Sequence, residues 1–197
     1  MSFELSGHNL KSIPSYVQEM PIHTLILSNN FITKIENLPI TLIKLDLSGN
    51  QINKIENLPD NLKILDLSGN QIKKIENLPN DLDQLILSEN KIKYIQNLNS
   101  NLRYLDLYDN QIIKLNNISS SIIYLDLSSN LITEINELND NLEILKIYEN
   151  KLETLPIFLT KLNKLKEINY YGNPIKNLSI QVVEWLKQVE IVNIGLK

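Results

Sequence analysis

Asp46 and Asp66 lie twenty residues apart, as do Asp106 and Asp126, so each pair could place two carboxylates side by side. Paired carboxylates are the apparatus of general acid–base chemistry. Ser48, Ser68 and Ser128 each follow an aspartate by two residues, and a serine hydroxyl becomes a nucleophile when a base stands beside it. No such base is marked. The only histidines, His8 and His23, precede every one of these Asp-Ser units. Cysteine is absent, which excludes a thiolate nucleophile, a thiolate metal site and a disulfide framework. Two histidines without a third spaced ligand do not make a zinc site. Two of the five glycines, Gly49 and Gly69, fall in Ser-Gly-Asn turns, and the glycines do not cluster into a phosphate-cradling loop. We therefore expect no catalytic residue, no cofactor, no metal and no enzyme. The acids and serines recur too regularly for one active site, and that regularity has to be explained first.

It is a repeat. Asn30, Asn50, Asn70, Asn90, Asn110, Asn130 and Asn150 stand twenty residues apart, and Asn173 ends the series after a longer unit. Each is preceded by one aliphatic pattern: Leu42, Leu45, Leu47, Asn50, Ile52 becomes Leu62, Leu65, Leu67, Asn70, Ile72, and so on. A fixed period of this length is the mark of a solenoid, in which each unit buries its apolar face only by stacking on the next. Around Leu45 and Leu47 the pattern has period two, which predicts a short strand with the leucines inside and Lys44, Asp46 and Ser48 outside. A buried asparagine just after the strand can bond the backbone of its own coil and of the neighbouring coil, so the eight asparagines are expected to form a ladder. A second column, Asn37, Asn57, Asn77, Asn97 and Asn117, precedes an aliphatic residue on the return segment and is expected to cap turns there.

The wording L-x-x-L-x-L-x-x-N-x-I, from about Phe3 to Leu178, resembles the leucine-rich repeat family. That resemblance implies an α/β solenoid with one parallel concave sheet, and the repeat count gives it eight or nine short strands. Lys34–Pro39, Lys54–Pro59 and Lys74–Pro79 all read K-I-E-N-L-P. This wording resembles the regulatory leucine-rich subunit of protein phosphatase 1, whereas the twenty-residue length resembles the short repeats of bacterial effector proteins. So short a unit, with proline in its return arc, predicts extended and turn backbone on the convex side. The whole chain is expected to be one domain: a half repeat and cap over 1–21, seven repeats over 22–164, a last repeat over 165–178, and a helical cap over 179–197. Ser179 is placed as the N-cap of a helix running to about Glu190, with Val182, Val183, Trp185, Leu186 and Val189 on its apolar face. His8 stands where the first ladder asparagine belongs.

With the core positions assigned to the fold, binding is sought at the variable positions of the sheet. Five of the eight tyrosines, Tyr104, Tyr108, Tyr124, Tyr148 and Tyr171, map to the concave face of the C-terminal half, together with Asp106, Asp126, Ile144 and Lys146. Tyrosine brings large area with few torsions and a polar tip, which suits an interface. These nine residues are the candidate partner-binding set. The family resemblance implies a non-enzymatic protein-interaction module, with a regulatory subunit of an enzyme such as a protein phosphatase as the alternative. A formal charge of −4 and one arginine, Arg103, give no footprint for nucleic acid. No stretch of eighteen apolar residues and no basic, apolar leader appears. The expectation is a cytoplasmic monomer with a protein partner, and no nucleic acid or membrane. The lysine-, isoleucine- and asparagine-rich composition resembles repeat proteins of amoebae and of the large DNA viruses that infect them, which would place the chain in a host cytoplasm.

Overall fold

A computed structural model of the chain describes residues 1–115 and 118–193. Within these residues there are ten strands of three residues each: β1 (Ser2–Glu4), β2 (Thr24–Ile26), β3 (Lys44–Asp46), β4 (Ile64–Asp66), β5 (Gln84–Ile86), β6 (Tyr104–Asp106), β7 (Tyr124–Asp126), β8 (Ile144–Lys146), β9 (Glu167–Asn169) and β10 (Ile191–Asn193). They form one parallel sheet in chain order. From β2 to β8 the register advances by twenty residues, so Leu25, Leu45, Leu65, Leu85, Leu105, Leu125 and Leu145 stack directly. Each coil turns five aliphatic positions inward. In the coil of β3 these are Leu42, Leu45, Leu47, Ile52 and Ile55, all wholly buried. Burial of one such side chain contributes about 2 kcal/mol, and the core is one such column per position.

The twenty-residue coils return through extended and turn backbone, as the prolines foretell. The carbonyls of Pro39, Pro59 and Pro79 accept from the amides of Leu42, Leu62 and Leu82, closing a tight turn before each strand. Longer coils use their extra length. The step from β1 to β2 is 22 residues and holds a 3-10 turn over Ser15–Glu19, and the step from β8 to β9 is 23 and holds another over Ile157–Lys161. Val17 and Leu159 plug the core from these turns.

The ladder asparagines do what their spacing predicts. Asn50 Nδ2 donates to the carbonyls of Leu47 in its own coil and Leu27 in the preceding one, both at 3.0 Å, and its Oδ1 accepts from Ile32 N at 2.9 Å. The same bonds recur at Asn30, Asn70, Asn90, Asn110, Asn130, Asn150 and Asn173. At His8 the ring Nδ1 lies 2.8 Å from Ser6 O, the counterpart of the local bond from Asn50 Nδ2 to Ser48 O. The residue ahead of each ladder asparagine is left-handed: Asn29, Gly49, Gly69, Glu89, Asp109, Ser129, Glu149 and Gly172. A non-glycine residue there costs roughly 1 kcal/mol or more. The turn is steep enough that a Cβ on Gly49 would meet Asn29 Oδ1 at 2.6 Å. The second asparagine column proves to be a further ladder. Asn37, Asn57, Asn77 and Asn97 are left-handed, and each Nδ2 reaches a carbonyl of the preceding coil, Ile13, Ile35, Ile55 or Ile75. Asn117 lies outside the described residues.

The C-terminal end corrects the expectation. The capping helix, α1, spans only Ile180–Leu186, and the chain then adds β10 beside β9. The sheet thus has ten strands where eight or nine were expected. An exposed strand edge presents unpaired amides and carbonyls, and β10 answers those of β9: Ile191 N donates to Lys166 O at 2.9 Å, and Tyr170 N to Asn193 O at 3.2 Å. Ser179 caps the helix through Val182 N, and Val182, Trp185 and Val189 close the core.

Asn70→Ala strands the buried amide of Ile52 and takes one of two bonds from each of the carbonyls of Leu47 and Leu67, which keep those from Asn50 and Asn90. A loss of about 1–3 kcal/mol is expected, read by urea unfolding. A loss below about 0.5 kcal/mol, the size of an ordinary surface substitution, would show that the ladder does not hold the coils.

Candidate binding site on the concave sheet

Three outward columns cross the sheet, and the period of twenty fixes which residues become neighbours. All nine candidate residues fall in these columns on four consecutive coils, those of β6 to β9. Tyr104 and Tyr124 are in register on β6 and β7, and their rings stack with centroids 4.1 Å apart and planes 5° from parallel. Tyr148 and Tyr171 stack likewise at 4.8 Å and 4°. Tyr108 leans across the intervening coil to within 6.1 Å of Tyr148, and Ser128, which lies between them in the column, is wholly buried. From β8, Lys146 turns back so that its Nζ lies 5.2 Å from the Tyr124 ring centre, a cation–π distance. Ile144 is half-buried beside Tyr124. Strand β7 is thereby covered from both sides, which explains why Asp126 is only 6% exposed.

Asp46, Asp66, Asp106 and Asp126 share a role that their spacing alone does not reveal. In each, Oδ1 accepts at 2.9 Å from the backbone amide two residues on: Ser48, Ser68, Tyr108 or Ser128. The aspartate thus closes a local turn where the chain leaves the strand. The repeated Asp-x-Ser or Asp-x-Tyr wording is the signal that could have shown it. One oxygen of each acid is thus structural, and among the described residues the other accepts a hydrogen bond only in Asp126. Tyr124 Oη reaches Asp126 Oδ2 at 3.5 Å, a long contact.

Burial sets the electrostatics. It pushes the Asp106 carboxyl from 3.8 up to about 6, with the nearby Asp126 and Asp66 charges adding to the rise and the Tyr108 amide and Lys146 opposing it. Burial likewise holds the Tyr104 phenol far above its usual range and raises those of Tyr124 and Tyr148 to about 12. At neutral pH these hydroxyls are therefore neutral donors. Along the flank of the sheet a further pattern, unmarked by the composition, pairs opposite charges between coils: Arg103 with Asp83, Lys63 with Asp81, and Lys166 with Glu143. The Arg103 guanidinium holds the Asp83 carboxyl below its usual value. Among the described residues, no group of three or more His, Asp or Glu could hold a metal ion. The arrangement offers an aromatic, acid-floored surface.

The raised Asp106 has a definite consequence for stability. A carboxyl whose folded pKa exceeds its unfolded one holds its proton more tightly when folded, so its contribution falls as pH rises from 3.8 through about 6. Asp106→Asn keeps the acceptor for Tyr108 N and removes the charge. Its unfolding free energy relative to the parent is expected to rise across that interval, as measured by urea titration at both ends. A carboxyl resonance titrating near 4 would contradict the assignment.

Comparison with known proteins bears on the fold. A family model described as leucine-rich repeats in two copies matches residues 40–80, and a single-repeat model matches 101–123. No curated protein sequence matches the chain. Among solved structures, YopM from Yersinia pestis, a leucine-rich effector protein, is 28% identical with a TM-score of 0.79, covering 90% of this chain and 50% of that one. YopM from Yersinia enterocolitica WA-314 is 24% identical, with a TM-score of 0.63 and coverages of 88% and 46%. An internalin (inlF) from Listeria monocytogenes is 24% identical, with a TM-score of 0.67 and coverages of 98% and 66%. The chain spans about half the length of the Yersinia structures it matches.

Proposed function

We propose that this chain, which is a leucine-rich repeat protein, is a non-enzymatic protein-interaction module, and that it binds a protein or peptide on the concave face of its C-terminal half. The observation that carries this reading is the pair of tyrosine stacks. Tyr104 with Tyr124, and Tyr148 with Tyr171, form two pairs of half-exposed rings, parallel within each pair, on the sheet. Side chains already fixed by stacking lose little further freedom when a partner docks, so their area converts to affinity efficiently. The sheet beneath them is pinned by the asparagine ladder, which keeps the surface from deforming.

Aromatic rings at an interface centre are the usual energetic hot spots, each worth about 2 kcal/mol or more on truncation. Tyr104→Ala with Tyr124→Ala removes the first stack while leaving the core leucines and the ladder untouched. The double variant is expected to lose at least tenfold in partner recovery from a lysate against the parent chain, with a far-ultraviolet spectrum unchanged. Equal recovery by both chains would remove the concave-face reading. Phosphatase activity retained with the purified chain would instead favour a regulatory subunit.

A further inference from the structure

We propose that the concave surface on the N-terminal side of the tyrosine stacks seats a cationic side chain, arginine before lysine, of an extended partner segment, with Asp106 as its counter-ion and Tyr104 and Tyr108 as its walls. The inference rests on the concave-face reading above and gives its partner a chemistry.

The protein already shows how this face treats a cation. Lys146 lies against the Tyr124 ring, on the C-terminal side of the first stack. The N-terminal side has the same materials without the cation. Tyr104 and Tyr108 flank Asp106 on the same face of one chain segment, two residues away on either side. Asp106 Oδ1 is taken by the Tyr108 amide, and among the described residues Oδ2 has neither a hydrogen bond nor an ion pair. The next position in the column is Ile86, an apolar floor for an aliphatic stem, and beyond it stands Asp66, equally free of any ion pair among the described residues.

Charge points the same way. The Asp106 and Asp126 carboxylates lie side by side on β6 and β7, and among the described residues Lys146 is the one cation set against the tyrosine rings. A half-buried carboxylate without a counter-ion is unfavourable, and a docking cation relieves that cost while its stem covers the tyrosine edges. Arginine fits better than lysine because its planar guanidinium stacks on aromatic faces and meets a carboxylate with two parallel bonds.

The test uses the full chain and a fluorescein-labelled seven-residue peptide alternating serine and arginine, read by fluorescence anisotropy. Matched peptides carry lysine or citrulline in place of arginine, citrulline keeping the shape without the charge. The arginine peptide is expected to bind, the lysine peptide several-fold more weakly, and the citrulline peptide at least tenfold more weakly. Asp106→Asn is expected to weaken the arginine peptide at least tenfold, whereas Asp140→Asn, which removes the same charge from an exposed site off the sheet, changes it less than twofold. Equal binding of the citrulline peptide, an equal loss from both variants, or no binding by the parent chain would overturn the inference. If Tyr104→Ala with Tyr124→Ala abolishes partner recovery while Asp106→Asn leaves it whole, the cation site falls and the concave interface stands.

Discussion

Each coil of this solenoid must leave its strand by a sharp turn whose backbone groups face the core, and a buried asparagine satisfies them. Asn70 takes carbonyls from two coils with its amide and receives an amide from the earlier coil with its oxygen. No water is needed inside, and no other uncharged side chain carries two donors and a two-lone-pair acceptor on so short a stem. The bond reaches backwards only, so each coil fastens its predecessor and the period is passed along. Left-handed residues before each ladder asparagine are the conformational cost of that turn. The convex ladder at Asn37, Asn57, Asn77 and Asn97 repeats the device on the return arc, where the coil is too short for a helix.

That constraint also shapes the surface. Because the register is twenty residues without slippage from β2 to β8, a residue's neighbours are those at the same position in adjacent units. Two tyrosines one period apart have nowhere to go but onto one another, and the short strand spacing suits ring stacking. Aspartates in the next column are drawn to the backbone amide two residues on, which orients one oxygen and leaves the other. Aromatic walls and acidic floor follow from repetition interrupted at a few positions, chiefly Tyr104, Tyr108, Tyr124 and Lys146. The family likeness speaks for the scaffold, and the interruptions distinguish this chain within it.

The core was legible throughout, because stacking of Leu45 on Leu65 requires nothing beyond the period and the alternation of a strand. The membership of the concave columns was legible for the same reason. The C-terminal cap was read only in part. Ser179, Val182 and Trp185 carry the signals of a capped amphipathic helix, but Ile191–Asn193 has no repeat wording. What makes it a strand is the open edge of β9, a partner distant in sequence. The charge pairs along the flank, Arg103 with Asp83 and Lys166 with Glu143, escaped notice because opposite charges a period apart are common in a chain this rich in both.

By itself the sequence determined the coil: its length, its inward residues, the ladder, and which side chains share a column. These are local or periodic matters, settled by spacing. Only the tertiary structure decided how the column members use one another. It tilted Tyr108 over Ser128 toward Tyr148, laid Lys146 on Tyr124, sealed Asp126 and left Asp106 outside every ion pair among the described residues. Those choices turn on side-chain torsions and on how much water each carboxylate keeps, quantities that depend on packing across three strands at once and that no single repeat contains.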